Sequence, residues 1–508
     1  MKQVMKKILA AALILAMVLS GTITAFGETA VGANGPRVQL NGENIVFKDA
    51  PVKSINGTTM VPFYTIIEAM GYVVSYDKAT KTVTAEMPGS TVAFVAGTSD
   101  VTVTENGTES IIKLDLASFI DKATGRVYVP VRFFEKALGY CVGWDAAEKT
   151  AVLIDPDTIF GTADKDFSII SKLMKSDLDL EKSYAVTGKF DMAAAIPGTG
   201  TPAIPPMKLS YKGDISGVQQ KNDVDMVMKL SIDLGDLSDS APSGEGANME
   251  MLASQMKDID MKVKMDGETG VAYLNSGIYR LIDPSIDENT WFKMNVFESY
   301  EALGIDISSL MALETSDTGL SEAMASLMTA GKNSLNVSSY GDIKAAYGFA
   351  RNLIGNEAFR TQTGGSTSTY TLNLTKDSIY KAMVAEALSE VLPAGASMGN
   401  LKDLQKGLNR IETLNSNIVI KEKGDSLVSY AVNGSLATEE FKGSLDLSGD
   451  QKNAKYTMTF DIKDIMNAEM KVDSHITETS KTPDVNPPAG AKILDYPTAL
   501  VNPIPIQQ

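Results

Sequence analysis

Cysteine and histidine are nearly absent from this sequence, and their scarcity excludes several kinds of chemistry. Cys141 is the only cysteine and His475 the only histidine in 508 residues. A single cysteine forms no disulfide within the chain, so stability must come from burial. Zinc or copper catalytic sites built from two or three imidazoles cannot be assembled in one chain, and a Ser/His/Asp triad would have to use His475.

The sequence around His475 argues against a catalytic role. In "AEMKVDSHITE", residues 468–478, apolar and polar side chains alternate, which predicts a strand with His475 on its polar face. We therefore expect a solvated strand histidine.

Positive charge is also scarce, with 46 Lys and Arg against 63 Asp and Glu and a formal charge of −17. Three lysines precede an apolar stretch from Ile8 to Leu19, and small residues lead to Gly27, which is the order of a secretory signal peptide. We expect residues 1–27 to be removed and the product to be secreted, either extracellular or associated with the cell envelope. A surface this acidic repels phosphate backbones, so we predict no nucleic-acid partner.

Two membrane signals are missing. No cysteine for lipid attachment follows the apolar stretch, and no later run of about 18 apolar residues could span a bilayer. We predict no transmembrane segment in the mature chain, whose length suggests two or three domains.

An internal repeat occupies the first part of the chain. The segments "MVPFYTIIEAMGYVVSYD", residues 60–77, and "YVPVRFFEKALGYCVGWD", residues 128–145, align without a gap at an offset of 68 residues. In the second copy, Pro130 is predicted to start a helix and Gly139 to end it in the left-handed conformation. A strand through Trp144, the turn "DAAEKT" and the strand "AVLI" follow.

This repeat resembles the copper amine oxidase N-terminal-like domain of secreted bacterial proteins, whose repeats read roughly V-P-x-R, E-A-L-G and V-x-W-D. The resemblance covers about residues 36–156, including "VQLNGENIVF". It implies a non-catalytic accessory module of mixed strands and short helices. The oxidase itself would need three histidine ligands and a tyrosine in an Asn-Tyr-acid motif, but the chain has one histidine and no Asn-Tyr pair. We therefore predict no oxidase activity and no cofactor.

The two copies differ at the charged positions of the family pattern. Tyr64 stands where Arg132 stands in the second copy, and Glu68 is replaced by Lys136. A symmetrical binding site is therefore not expected. We predict that Arg132 and Asp145 serve a helix end and a turn.

The second part of the chain, residues 165–480, alternates long strands with helices. Strands with one apolar face are predicted in "VDMVMKLSIDL", "DIDMKVKMD" and "KYTMTFDIKD". Helices are predicted within 297–328 and 343–354 and after Thr375, which can cap a helix that ends before Pro393. We predict an α+β protein: a small duplicated strand-helix-strand accessory domain, then a large curved antiparallel sheet, a half-barrel, covered by helices. Residues 481–508 are predicted to form a proline-rich tail.

The element order of residues 165–480 resembles the half-barrel lipid-carrier group of bacterial envelope proteins, which includes lipoprotein carriers. The resemblance implies a concave face that binds an acyl chain or another apolar ligand. Flexible thioethers suit an adaptable cavity. The candidate apolar-ligand face consists of Met226, Met228, Met261, Met265 and Met458. An ordinary core filled by the protein's own helices is the alternative, and we favour it.

The acidic loop "DPSIDENTW", residues 283–291, places Asp283, Asp287, Glu288 and Asn289 close together. These oxygen ligands could hold calcium, but their spacing matches no regular calcium loop. We favour an acidic surface turn and predict no metal.

The sequence thus predicts an exported protein that is not an enzyme, with a cell-wall polymer or an apolar small molecule as candidate partner. Two alternatives remain open. One is a structural surface protein that binds the cell wall through its first module. The other is an envelope hydrolase that uses paired carboxylates and needs no histidine.

Overall fold

The computed structural model describes residues 36–146, 148–172, 179, 181–197, 199–200, 203–204, 207–233, 254–283, 285–301, 319–330, 340–389, 406–424 and 426–496. The predicted signal peptide, Pro393 and the end of the predicted tail lie outside these residues.

Short strands and short helices form the N-terminal module. They are β1 Arg37–Leu40, β2 Glu43–Asn44, β3 Lys53–Ile55, β4 Thr58–Pro62, α1 Phe63–Ala69, β5 Val73–Asp77, β6 Thr82–Met87, β7 Ser90–Val95, β8 Asp100–Glu105, β9 Thr108–Lys113, β10 Phe119–Ile120, β11 Val127–Pro130, α2 Phe133–Leu138, β12 Cys141–Asp145 and β13 Thr150–Ile154. Their sheets have the orders β12-β13-β1-β2, β10-β11-β4-β3 and β5-β6-β7-β8-β9. The first strand β1 pairs in parallel with the last strand β13, which ties the two ends of the module together.

The two copies of the repeat pair with each other through β4 and β11. The prediction that Pro130 starts a helix is wrong: Pro130 ends β11 opposite Met60, and helix α2 begins at Phe133. A proline is tolerated there because a strand end need not donate a ladder hydrogen bond. Gly139 ends α2 with a φ of 69°, the left-handed conformation that was predicted.

Three one-turn helices lead from the module to the second part: α3 Asp157–Phe160, α4 Ala163–Asp166 and α5 Ser168–Ser171. Their apolar side chains belong to one buried cluster that also contains Cys141 and Ile154 of the module and Ile420 and Leu447 of the second part. The module and the second part therefore share a core.

Long strands dominate the second part. They are β14 Ser183–Ile196, β15 Thr199–Gly200, β16 Ala203–Ile204, β17 Met207–Gln220, β18 Asp223–Asp233, β19 Ile259–Met265, β20 Val271–Ser276, β21 Thr290–Asn295, β22 Arg360–Gly364, β23 Thr367–Thr375, β24 Ile411–Lys423, β25 Ser426–Thr438, β26 Phe441–Gly449, β27 Asn453–Ile462, β28 Met466–Thr479 and β29 Lys492–Asp495. The helices are α6 Gly277–Ile282, α7 Val296–Glu301, α8 Leu320–Ala330, α9 Tyr340–Ile354 and α10 Lys376–Ser389, with a 3₁₀ turn at Asn356–Ala358.

A single sheet collects 14 of these strands in the order β22-β23-β24-β25-β26-β27-β28-β14-β17-β18-β19-β20-β21-β29. Its pairs are antiparallel except for β21 and β29, and the sheet curls, as predicted. The protein is mostly strand, and an α+β fold with helices covering the sheet is not confirmed.

Helices α9 and α10 pack at one end of the sheet. Ile343 of α9 and Ile379 and Met383 of α10 join the same apolar cluster as Leu372 of β23 and Ile420 of β24. The predicted cap of α10 is present, because the Ser378 amide donates to Thr375 Oγ1 at 3.2 Å. Among the described helices, none is long and apolar enough to cross a bilayer.

Candidate functional site

The two faces of the large sheet differ in chemistry. Directly paired residues share a face, so the pairing registers trace rows of side chains across the strands. One such row reads Leu445, Met458, Met470, Met192, Tyr211 and Ile232. The row beside it on the opposite face reads Ser444, Thr459, Glu469, Ala193, Ser210 and Asp233. The sheet therefore has an apolar face and a polar face along its middle strands.

The five predicted methionines lie on the apolar face. Met228 stands opposite Met261; on these two neighbouring strands, Met226 lies two residues from Met228 and Met265 lies four residues from Met261. Met458 is on the same face, nearer the helices. All five side chains are half-buried. None of them lines either of the two large cavities in the sheet.

Both cavities lie on the polar face, which is the concave one. The first has a volume of about 780 Å³ and is lined by Asp233 of β18 and by Thr413 of β24. These two strands are seven steps apart in the sheet order, roughly 34 Å in a flat sheet. A flat sheet would enclose no cavity, so the strands must curl with their polar side chains inward.

Small hydroxyl and charged side chains line the first cavity. They include Ser210, Ser435, Ser444, Thr459, Lys208, Lys442, Asp461 and Glu469. Ser444 and Thr459 are joined by a hydrogen bond of 2.6 Å between their hydroxyl oxygens. Such a surface offers a bound molecule hydrogen bonds alongside apolar contact with alanines such as Ala193 and Ala195.

Lysine and aspartate dominate the second cavity, whose volume is about 690 Å³. Its lining includes Lys189, Asp191, Lys212, Asp214, Lys229, Lys257, Asp258, Lys455, Lys471 and Asp473. Met192 and Ala193 follow the second cavity's Asp191 along β14, and Ala193 lines the first cavity. The two cavities therefore succeed each other along one polar groove.

A C-terminal segment lies across the end of the groove that is remote from the first cavity. Buried Lys264 donates from Nζ to the Asp484 carbonyl oxygen at 2.7 Å and forms ion pairs with Asp484 at 3.1 Å and Asp225 at 3.2 Å. The Lys264 ammonium holds the pKa of the Asp484 carboxyl below its usual value. Strand β29 then fixes the segment beside β21.

The two rare residues are not among the residues that line the two cavities. His475 is exposed on the polar face of β28, with Nδ1 at 2.6 Å from Asn453 Oδ1, so it is a solvated strand histidine. Cys141 is buried, and burial raises the pKa of its thiol to about 12. Neither residue lines the first or the second cavity.

The acidic loop uses its carboxylates to hold its own backbone. Asp287 Oδ1 accepts hydrogen bonds from the Asn289 amide at 3.0 Å and from Thr290 Oγ1 at 2.7 Å, and Asp283 Oδ1 accepts from the Ser285 amide at 2.9 Å. These donors lower the pKa of both carboxyl groups. Among the described residues, no three metal-ligating side chains of the His, Cys, Asp or Glu type come together. Calcium binding by this loop stays a hypothesis.

Arg132 and Asp145 occupy the predicted helix end and turn. Arg132 is the N-cap residue of α2 and pairs with Glu135 at 3.2 Å, and Asp145 Oδ1 accepts from the Glu148 amide at 3.1 Å.

The sequence did not reveal the lysine and aspartate lining of the second cavity. Each strand shows alternation, but only the pairing registers bring Lys189, Asp214 and Asp473 side by side from distant segments. The signal that could have found them is the charged half of each alternating strand.

Comparison with known proteins assigns the first module. Residues 39–153 match the family described as copper amine oxidase N-terminal domain, a non-catalytic accessory domain. The match ends before the second part, whose resemblance to lipoprotein carriers stays a prediction. None of the curated proteins compared with the chain matches it.

Similar solved structures include the Acinetobacter baumannii outer membrane protein Omp33, with 5% identity, 59% of this chain and 99% of that chain covered, and a TM-score of 0.10. A double mutant of the Rh. blastica porin has 8% identity, 58% and 99% coverage, and a TM-score of 0.11. Scores this low carry no argument about fold or function. The comparisons therefore show a copper amine oxidase N-terminal domain at residues 39–153, the segment that contains the repeat.

Proposed function

We propose that this protein is an exported, non-catalytic binding protein of the cell envelope or extracellular space, whose ligand occupies the polar groove of the large sheet. The observation that carries the proposal is the position of the two cavities, about 780 and 690 Å³, on the same hydrophilic concave face. Ligand sites of proteins have volumes in this range.

The groove supports binding better than catalysis. Its lining contains hydroxyl, amide, lysine and carboxyl groups, but neither the thiol of Cys141 nor the imidazole of His475. A carboxylate hydrolase needs a general acid with a raised pKa facing its substrate. Burial raises the pKa of the Asp155 carboxyl, yet Asp155 follows the last strand of the module and lines neither cavity.

The first module supports an attachment or positioning role. It matches an accessory domain family and shares a buried core with the sheet domain. A ligand bound in the groove would therefore be held at a fixed orientation to the module. Attachment of that module to the cell wall is the structural alternative, which a pull-down of the full chain with purified wall would detect.

An apolar ligand remains a second candidate function. The observation that favours it is the half-buried methionine row Met458, Met470 and Met192, which lies on the same face of the sheet as Met228. Binding of a fluorescent fatty acid, lost when Met228 is changed to lysine, would support this candidate.

A groove-filling substitution tests the proposed function. Ala193 is exposed on the groove floor, so A193W should occupy the first cavity without entering the core. Native mass spectrometry would compare the wild-type chain, A193W and the control V428W after incubation with soluble envelope fragments. Val428 is also exposed but lines neither cavity.

The expected result is added mass on the wild type and on V428W, reduced at least tenfold in A193W. The fragments should be chemically unchanged afterwards. New fragment products that depend on the protein, or equal retention by A193W, would overturn the proposal.

A further inference from the structure

Opposite charges alternate across six adjacent strands at the second cavity. Along one row of cross-strand partners the order is Lys455, Asp473, Lys189, Asp214, Lys229 and Asp260. Neighbouring strands in a sheet are about 5 Å apart, so positive and negative groups follow each other at that interval.

The next row inverts the sign on three of these strands. Two residues along, the order is Lys471, Asp191 and Lys212, where the first row has Asp473, Lys189 and Asp214. Residues two apart along a strand are about 7 Å apart on the same face. The nine residues of the two rows therefore alternate in both directions, and we call them the charge checkerboard.

These charges are accessible and only weakly engaged. Ion pairs join Lys455 to Asp473 at 2.9 Å and Lys212 to Asp191 at 3.4 Å, with side chains about half exposed or more. Exposed pairs of this kind contribute about 1 kcal/mol or less. Within the part of the chain that the structure describes, Lys189, Asp214 and Lys229 form no ion pair, so a ligand can reach them without breaking one.

The alternation selects against ligands whose charges all have the same sign. A uniformly anionic polymer would meet an aspartate beside every lysine of the first row, and a polycation would meet the reverse, so attraction and repulsion would largely cancel. A zwitterion can place each of its charges beside an opposite partner.

The cation of such a zwitterion should be a primary ammonium. The aromatic residues that border the cavity, Phe190 and Tyr456, belong to rows of the opposite face, where both stand opposite Val472. A quaternary ammonium therefore finds no aromatic cage, whereas a primary ammonium finds the carboxylates it can donate to.

We propose that the charge checkerboard binds a zwitterion whose primary ammonium and anionic group are about 5–7 Å apart, the spacing of neighbouring strands and of alternate residues. The inference rests on the proposed function, because it places a ligand in the polar groove. A short peptide with free termini and a phosphoethanolamine group share this chemistry.

Calorimetric titration of the full chain with dialanine and with phosphoethanolamine tests the proposal. The controls, which carry charge of one sign only, are acetylated dialanine, inorganic phosphate and ethylamine. The variant K189Q/D214N removes one charge of each sign from exposed positions. The control K421Q removes a lysine from the polar face of β24, outside both cavities.

The expected result is saturable binding of at least one zwitterion, at least tenfold tighter than the binding of any control with charge of one sign. The binding should be lost in K189Q/D214N and kept in K421Q. Binding of dialanine alone would identify a peptide source, and binding of phosphoethanolamine alone a headgroup source. Equally tight binding of a control with charge of one sign, or unchanged binding of the zwitterion by K189Q/D214N, overturns the proposal.

Failure of both zwitterions to bind also overturns it but leaves the proposed function standing if envelope fragments still bind in an A193W-sensitive manner. If the wild-type chain also fails to bind envelope fragments, the proposal that the groove is a ligand site is rejected. Thermal unfolding of every variant, expected within about 2 °C of the wild type for exposed sites, verifies that the fold is intact.

Discussion

Val61 and Val129, which are equivalent in the two copies of the repeat, are direct partners across strands β4 and β11. Both side chains are fully buried in the module core. The duplication therefore builds a local two-fold arrangement in which each copy supplies half of the central pair.

Truncation of this pair should destabilise the module. V61A and V129A should each lower the free energy of unfolding by about 2 kcal/mol, because each removes buried methyl groups and leaves a cavity. The double variant should lose less than the sum, because the two residues are in contact. Urea denaturation measures these values. V46A is the matched control, since Val46 is 70% exposed and its truncation should change stability by no more than about 0.5 kcal/mol.

A second prediction concerns the contact between Lys172, at the end of helix α5, and the sheet. Lys172 pairs with the buried carboxylate of Glu422, which also accepts a hydrogen bond from the Tyr370 hydroxyl. K172M should cost about 3 kcal/mol, because it leaves a buried charge without its partner. Removing both charges in K172M/E422M should recover much of that loss.

Chemical denaturation of the two variants and the wild type provides the measurement. K381M is the control, because Lys381 pairs with Asp377 on the surface and should contribute about 0.5 kcal/mol or less. Equal losses in K172M and K381M would contradict a buried ion pair at this contact.

At alkaline pH, ionisation of Cys141 should lower the free energy of unfolding. Burial raises the pKa of the thiol from 9.0 to about 12 in the folded state. The unfolded chain therefore loses its thiol proton at a lower pH than the folded protein does. The contribution of the buried neutral thiol to the free energy of unfolding is complete below about pH 9 and is lost as the pH rises towards 12. By pH 11 it should reduce the free energy of unfolding by about 2 kcal/mol relative to pH 8.

C141V removes the titrating group and keeps an apolar side chain of similar size. The difference in unfolding free energy between wild type and C141V should therefore change between pH 9 and 11, while tyrosine ionisation affects both proteins alike. A difference that stays constant across this range would contradict a buried neutral thiol.

The protection of the C-terminal segment, residues 481–491, against amide exchange should depend on Lys264. K264M removes the ammonium that contacts Asp484 and Asp225, so the amides of residues 481–491 should exchange with deuterium at least tenfold faster. K262M is the control, two residues away on the same face of β19. Equal exchange in the two variants would show that β29 alone holds the segment.

The sequence predicted those features that repeat or alternate locally. The 68-residue repeat, the left-handed Gly139, the cap at Thr375 and the solvated His475 follow from short-range patterns, and the structure contains each of them. The prediction that Pro130 starts a helix failed because helices and strands both tolerate proline at their ends. The pairing of Pro130 with Met60 decided in favour of the strand.

The candidate site could not be predicted because it depends on long-range pairing and curvature. Alternation in "VDMVMKLSIDL" separates Met228 from Lys229, but it does not say which face becomes concave. The cavity linings place the polar face inside, and the strand order brings Lys455 of β27 into one cross-strand row with Lys229 of β18, four strands away. No local pattern contains that information.

Chemical footprinting with and without retained envelope fragments tests the location of the ligand most directly. Acetylation reports on the groove lysines Lys189 and Lys229, and peroxide oxidation reports on Met226 and Met228 of the opposite face. We expect at least threefold slower acetylation of both lysines, unchanged acetylation of Lys421 and unchanged methionine oxidation. Protected methionines beside freely acetylated groove lysines would contradict this expectation.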